Sequence, residues 1–180
     1  MENIITTCCP SANDLIEKYY PQLIPYMAPV VSPMIAHGRL LKQELGKETK
    51  VVFLGPCIAK KQEAQDERHR DCIDAVLNFN DINRWLQDED INIEDCEDMP
   101  FVKDPKVNRL YPVSSGVINS VVATQSQTDS YRKFYIHGEK NCMELCDSML
   151  RGEISGCFIE MNRCYCGCIK GPTVNDKSMA

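Results

Sequence analysis

The chain has 180 residues, 43% hydrophobic and 26% charged, with 20 basic against 26 acidic side chains and a formal net charge of −6. That is enough chain for one sizeable core or two lobes, and the acidic balance argues against nucleic acid as the main partner. No run approaches the roughly 18 uninterrupted apolar residues of a membrane span, and "MENIITTCCP" lacks the basic and then apolar regions of an export leader. A cytoplasmic location is therefore expected.

In chain order, the β-branched run "NIITT" (3–7) predicts a short strand, followed by a helix over 11–20 with Ser11 as its cap. Pro21, Pro25, Pro29 and Pro33 punctuate a stretch of turns, and Ser32-Pro33 opens a second helix over 32–45. "KVVFLG" (50–55) predicts a buried strand ended by Gly55-Pro56, "CIDAVLNF" (72–79) is a second apolar run, and 80–89 is a capped helix. The acidic, proline-marked segment 92–106 is expected to be a surface loop or a boundary between lobes. Beyond it, 114–125 suits a helix entered through a glycine turn, although its β-branched content leaves strand open. "RKFYIHG" (132–138) predicts a strand, 140–152 a helix stopped by Gly152, and "SGCFIEM" (155–161) a last strand. Strands alternating with helices argue for an α/β fold with a mostly parallel sheet.

The chain carries eleven cysteines. An odd count without an export leader argues against a secreted disulfide framework, and in a reducing compartment cysteine clusters more often mean metal or catalysis. "IITTCCP", "VVFLGPC" and "CFIEMNRC" each set a cysteine just past a predicted strand, where ligands gather in open parallel sheets. Loops distant in the chain can thus converge, and four thiolates suit either a four-iron, four-sulfur cluster or a Cys₄ zinc site. The chain has no Cys-x-x-Cys pair, which makes zinc the weaker alternative. Of the adjacent Cys8 and Cys9, one can ligate while its neighbour faces the other way; the free one is then either a proton carrier beside a metal or a plain core cysteine.

The segments "TTCCP" (6–10), "LGPCIAKKQE" (54–63) and "IEMNRCYCGCIKGP" (159–172) resemble the three signatures of the C-terminal domain found in the large subunits of iron-only, or [FeFe], hydrogenases. The resemblance runs in order through nearly all of the chain. It implies two small lobes with mostly parallel sheets flanked by helices, and an iron–sulfur site at the strand carboxyl ends between them. It also implies a [4Fe-4S] cluster on Cys9, Cys57, Cys164 and Cys168, with Cys168 bridging to the diiron subcluster of an H-cluster. Cys8 matches the proton-carrying thiol, Lys60 a lysine that contacts an iron-bound cyanide, and Pro33 a cavity-wall residue. The implied activity is reversible heterolytic H₂ activation or H₂ and redox sensing, with protons and an electron-transfer iron–sulfur domain or subunit as partners. A non-catalytic [4Fe-4S] role, like that of the cytosolic assembly relatives of these hydrogenases, is the alternative.

Several positions depart from the family pattern: Ala12, Met34, Gly55, Asn162 and the Tyr165-Cys166 pair. They are expected to line the diiron cavity, and they resemble the sensory branch of the family. The first signature starts near residue 6, so the resemblance implies a missing N-terminal segment, a partner chain completing the pocket, or loss of the diiron function. Cys142 and Cys146, four apart on one helix face, are expected in the core; Cys72, Cys96 and Cys157 are expected to be structural or incidental. Cys166 is expected to be a spare thiol. His37, His69 and His137 are expected in surface or core roles.

Overall fold

The computed structural model describes residues 2–100, 106–124 and 130–174. In chain order its main elements are β1 (Ile4–Ile5), α1 (Pro10–Tyr19), α2 (Pro33–Leu45), β2 (Val52–Leu54), α3 (Ala59–Gln65), β3 (Ala75–Leu77), α4 (Phe79–Asp88), α5 (Gly116–Thr124), β4 (Arg132–His137), α6 (Glu139–Leu150) and β5 (Cys157–Asn162), joined by short 3₁₀ turns. Two parallel sheets result, one of three strands ordered β1-β5-β4 and one pairing β2 with β3. The expected α/β architecture is therefore present, and all pairings between named strands are parallel.

β5 is the centre of the first sheet, with every residue buried. The burial takes in the polar Glu160 and Asn162 as well as the apolar positions, as for a central parallel strand covered on both faces. Its core joins Ile5, Ile16, Leu23, Ile159 and Met161 to Cys142 and Cys146 of α6. The two α6 cysteines are fully buried, as expected from their spacing. Asn3 fastens the short β1 to its neighbour: its amide donates to the Ile154 carbonyl at 2.8 Å and accepts the Cys157 N–H at 3.0 Å. The second sheet rests on a smaller core of Met34, Ile35, Val51, Cys72 and Ile73. A Cβ at Gly38 would meet the Cys72 carbonyl oxygen at 2.6 Å, so α2 reaches that core only because residue 38 has no side chain.

Three expectations change. α1 starts at Pro10 with Cys9 as N-cap, not at Ser11; Pro10 has no N–H to leave unpaired and its fixed φ suits the first helical position. α4 is capped by Asn78, whose side chain accepts the Asp81 N–H while Asp81 accepts the Asn78 N–H in return. β2 is not buried: Val52 and Leu54 are 56% and 51% exposed, while Phe53 between them packs on the second core. Alternation puts Phe53 on one face and its neighbours on the other. The region 114–125 is helical through Thr124, and residue 125 lies outside the described residues. The boundary expected at 92–106 falls partly outside them too, at 101–105; residues 91–100 are exposed.

Candidate metal centre

β1 and β5 are parallel neighbours, with Ile4 opposite Phe158 and Ile5 opposite Ile159. Their carboxyl ends therefore lie on the same side, which delivers Cys9 and Cys164 together. Cys57 follows β2 in the other sheet, and a close approach ties its loop to the segment after Cys168. A Cβ at Gly171 would stand 3.0 Å from the Pro56 carbonyl oxygen, and the Thr173 hydroxyl donates to that oxygen at 3.1 Å. Cys168 opens the 3₁₀ turn over 168–170, closed by the Gly171 N–H donating to the Cys168 carbonyl at 2.8 Å. The loop 164–168 is pinned from the other side: Gly167 bridges Val113, and the Ile169 N–H donates to the Pro112 carbonyl. Gly167 has φ +81° and room for no Cβ, since one would lie 2.7 Å from the Pro112 oxygen.

All eleven cysteines are free, and those at the converging loops feel one another. Cys168 is pushed up to about 12, first by burial and then by the negative charges of Cys9, Cys57, Cys8 and Cys164. Cys164 is raised by burial and then by Cys9 and Cys57, with Arg163 opposing. Cys57 is raised by burial, against which the N–H groups of Lys60 and Ala59 pull down. Each thiolate makes the next harder to form, so the set ionises together only around a compensating cation. Among the described residues, no three His, Cys, Asp or Glu side chains stand close enough to hold a single metal ion.

Cys8, near enough to raise Cys168, also borders a cavity of about 770 Å³ together with Thr6, Thr7, Pro33, His37 and Phe158. Burial pushes its thiol up to about 12, with the Thr6 hydroxyl, 3.6 Å away, pulling it back. Pro33 is on the cavity wall at the first turn of α2. Lys60 is buried but is not among the residues lining the cavity: its ammonium pairs with Glu63 at 2.7 Å and lies 3.5 Å from the Cys8 carbonyl. Nor do the departures from the family pattern line it. Met34 and Ala12 belong to the two cores, Gly55 packs against the Phe53 ring, and the Asn162 amide donates to Glu160 at 2.9 Å.

Glu160 is wholly buried and accepts the Ile118 N–H at 3.0 Å, anchoring the first turn of α5 against β5. Burial raises its carboxyl, and the N–H groups it accepts oppose the rise. Cys142 and Cys146 are pushed up to about 12 and about 11, each first by burial, and are core thiols. Cys72 packs in the second core, Cys157 begins β5 at the end away from the thiol loops, and Cys96 is exposed. Two contributors had no expected role: Thr6, beside the Cys8 thiol, and His37, on the cavity wall. Thr6 had a signal in its place within "TTCCP"; His37 had none.

An α/β chain that brings thiols from three loops to strand carboxyl ends has the layout of a metal–thiolate protein. The chain matches the family model described as iron only hydrogenase large subunit, C-terminal domain, over residues 1–172, and it belongs to that family. It is 25% identical over 219 residues to the periplasmic [Fe] hydrogenase large subunit of Nitratidesulfovibrio vulgaris, covering 92% of this chain and 50% of the relative. Against the cytosolic Fe-S cluster assembly factor NAR1 of Yarrowia lipolytica it is 29% identical over 107 residues, covering 49% of this chain and 22% of the relative. Its fold is similar to that of a variant of the [FeFe]-hydrogenase HydA1 from Chlamydomonas reinhardtii, with a TM-score of 0.76 and 18% identity over 99% of this chain and 64% of that one. The chain thus spans about half the length of the periplasmic relative. No described helix is long and apolar enough to cross a membrane. With one relative named periplasmic and another cytosolic, the family does not fix the compartment.

Proposed function

We propose that Cys9, Cys57, Cys164 and Cys168 hold a [4Fe-4S] cluster and that the cavity beside Cys8 receives the diiron part of an H-cluster, with Cys168 between the two. The chain would then serve reversible H₂ activation or H₂ sensing. The observation that supports this reading is that three loops bring Cys9, Cys57 and Cys164 near enough to raise Cys168, while the Cys8 thiol also lines a cavity. When bound, the group would supply the redox-active iron that polarises H₂. The chain's own residues supply the rest. Cys8 presents a protonated thiol to the cavity, and the Thr6 hydroxyl stands next to it as a further exchangeable group. Lys60, neutralised by Glu63, holds the Cys8 carbonyl and with it the orientation of the Cys8-Cys9 pair. Pro33 stiffens the cavity wall. An electron-transfer iron–sulfur domain or subunit, and a further segment or chain closing the cavity, belong to the same proposal.

One observation favours the second reading, a [4Fe-4S] protein without H₂ chemistry. Lys60 is engaged by Glu63 and is not on the cavity wall, so the cation that would meet a cyanide ligand is occupied elsewhere. Infrared spectroscopy after anaerobic maturation separates the two. Carbonyl and cyanide bands support the diiron centre; a cubane EPR signal without them leaves the second reading. Stoichiometric zinc with no iron overturns both.

A further inference from the structure

Between Cys164 and Cys168 the backbone does something costly. Cys166 has φ +59° and Gly167 φ +81°, two successive residues in the left-handed region. Gly167 takes that conformation at no steric cost, whereas Cys166 does not, so something outside the loop must hold it. The Gly167 N–H donates to the Cys164 carbonyl at 3.2 Å, which closes the turn but leaves the Cys166 N–H unused. That N–H is taken by His137, whose Nδ1 accepts it at 3.3 Å.

His137 is well placed for this. It ends β4, opposite Asn162 of β5, and the Asn141 amide donates to its carbonyl at 2.9 Å. Its ring meets Tyr165 edge-on at 4.7 Å between centroids, and Tyr135 lies stacked on it at 6.4 Å. The ring is therefore oriented by two aromatic side chains, one of them inside the loop it holds. Accepting an N–H through Nδ1 requires that nitrogen to be unprotonated, so the neutral ring carries its hydrogen on Nε2. Arg163, at the entry to the same loop, is paired separately with Glu139 and reaches the Ser11 hydroxyl at 3.4 Å. The loop is thus clasped by β4 and the start of α6 on one side and by residues 112–113 on the other.

We propose that His137 is a positioning residue for the metal centre: by holding the Cys166 N–H it fixes the left-handed turn that sets Cys164 and Cys168 relative to each other. The inference rests on the iron–sulfur reading of the site. Solvent exposure and hydrogen bonding around a cluster help to set its reduction potential, so loosening this turn would change a bound cluster electronically as well as mechanically.

The test compares His137→Phe, which keeps a ring between the two tyrosines but removes the acceptor, with His137→Asn, which restores a side-chain acceptor. Amide hydrogen exchange at Cys166 in the metal-free chain reads the contact without any cluster; His137→Phe speeds it about fivefold, the worth of one neutral hydrogen bond, and His137→Asn brings it back. In anaerobically reconstituted protein, His137→Phe retains the parent's secondary structure, releases iron to a chelator about fivefold faster, and shifts the EPR g-values and midpoint potential; His137→Asn returns all three toward the parent. Unchanged Cys166 exchange in His137→Phe overturns the inference, as does a cluster whose release rate, g-values and potential match the parent's. Equal losses in both variants also overturn it, because they show a merely structural side chain. A parent chain that takes up no iron overturns the iron–sulfur reading itself, a different failure that leaves the exchange result standing.

Discussion

The two sheets differ in how deeply they are built. β5 is buried along its whole length and carries a large core, whereas β2 exposes two of its three residues over a core of five buried side chains. The proposed centre draws on both: Cys9 and Cys164 follow strands of the deep sheet, and Cys57 follows one of the shallow sheet. A rigid platform thus supplies two of the three loops, and the third is brought to it by the contact of Gly171 and Thr173 with Pro56.

The largest expected effect is on the deep sheet. Ile159→Ala should cost about 3–4 kcal/mol in urea unfolding, the usual loss for a fully buried Ile, whereas Val52→Ala should stay within about 0.5 kcal/mol. Equal costs would erase the contrast between the sheets. Amide exchange should show the same order, with β5 slowest and β2 faster.

Next is the loop itself. Gly167→Ala forces a side chain into a left-handed position against the Pro112 carbonyl, and should cost about 2 kcal/mol of stability while reducing iron uptake more than Ile159→Ala does at matched folded fraction. Smaller again is the tether between the sheets. Thr173→Val removes one hydrogen bond to Pro56 and should cost about 1 kcal/mol, with chelator access to the centre increasing although β5 exchange is unchanged.

The smallest effect is electrostatic and belongs to the shallow sheet. Lys42, the Val51 N–H and Lys50 hold the Asp74 carboxyl below its ordinary 3.8. A carboxyl lowered by folding stabilises the native state above its unfolded value, and that contribution disappears as pH falls through the folded value. Asp74→Asn should therefore lower the urea midpoint at pH 7 slightly, and the gap between variant and parent should narrow below about pH 3.8. A constant gap from about pH 7 to about pH 2 would contradict the assignment.

Much of this was legible in the sequence because the signals were local and consistent. Ser32-Pro33 opened α2 as expected, with Ser32 accepting the Ile35 N–H, and the parallel sheets followed from alternating strands and helices. Cys142 and Cys146 were placed in the core by spacing alone. What was not legible depended on contacts between distant segments. Val52 and Leu54 look like core residues until the sheet proves to have only two strands, one face of which stays open. Met34 looks like a cavity residue in a motif comparison, but α2 turns it into the second core. His137 gave no sign of a role, because its partner is a backbone N–H 29 residues away, which no spacing rule anticipates.

The most direct measurement is the EPR signal of reduced, anaerobically reconstituted protein in the parent, Cys9→Ala and Cys8→Ala chains. Expected is a cubane signal of equal intensity in the parent and Cys8→Ala, and its loss in Cys9→Ala, since the proposal gives one thiol to the centre and the other to the cavity. Equal loss of the signal in both variants, or its survival in Cys9→Ala, would contradict the division of the two adjacent cysteines on which the proposed site rests.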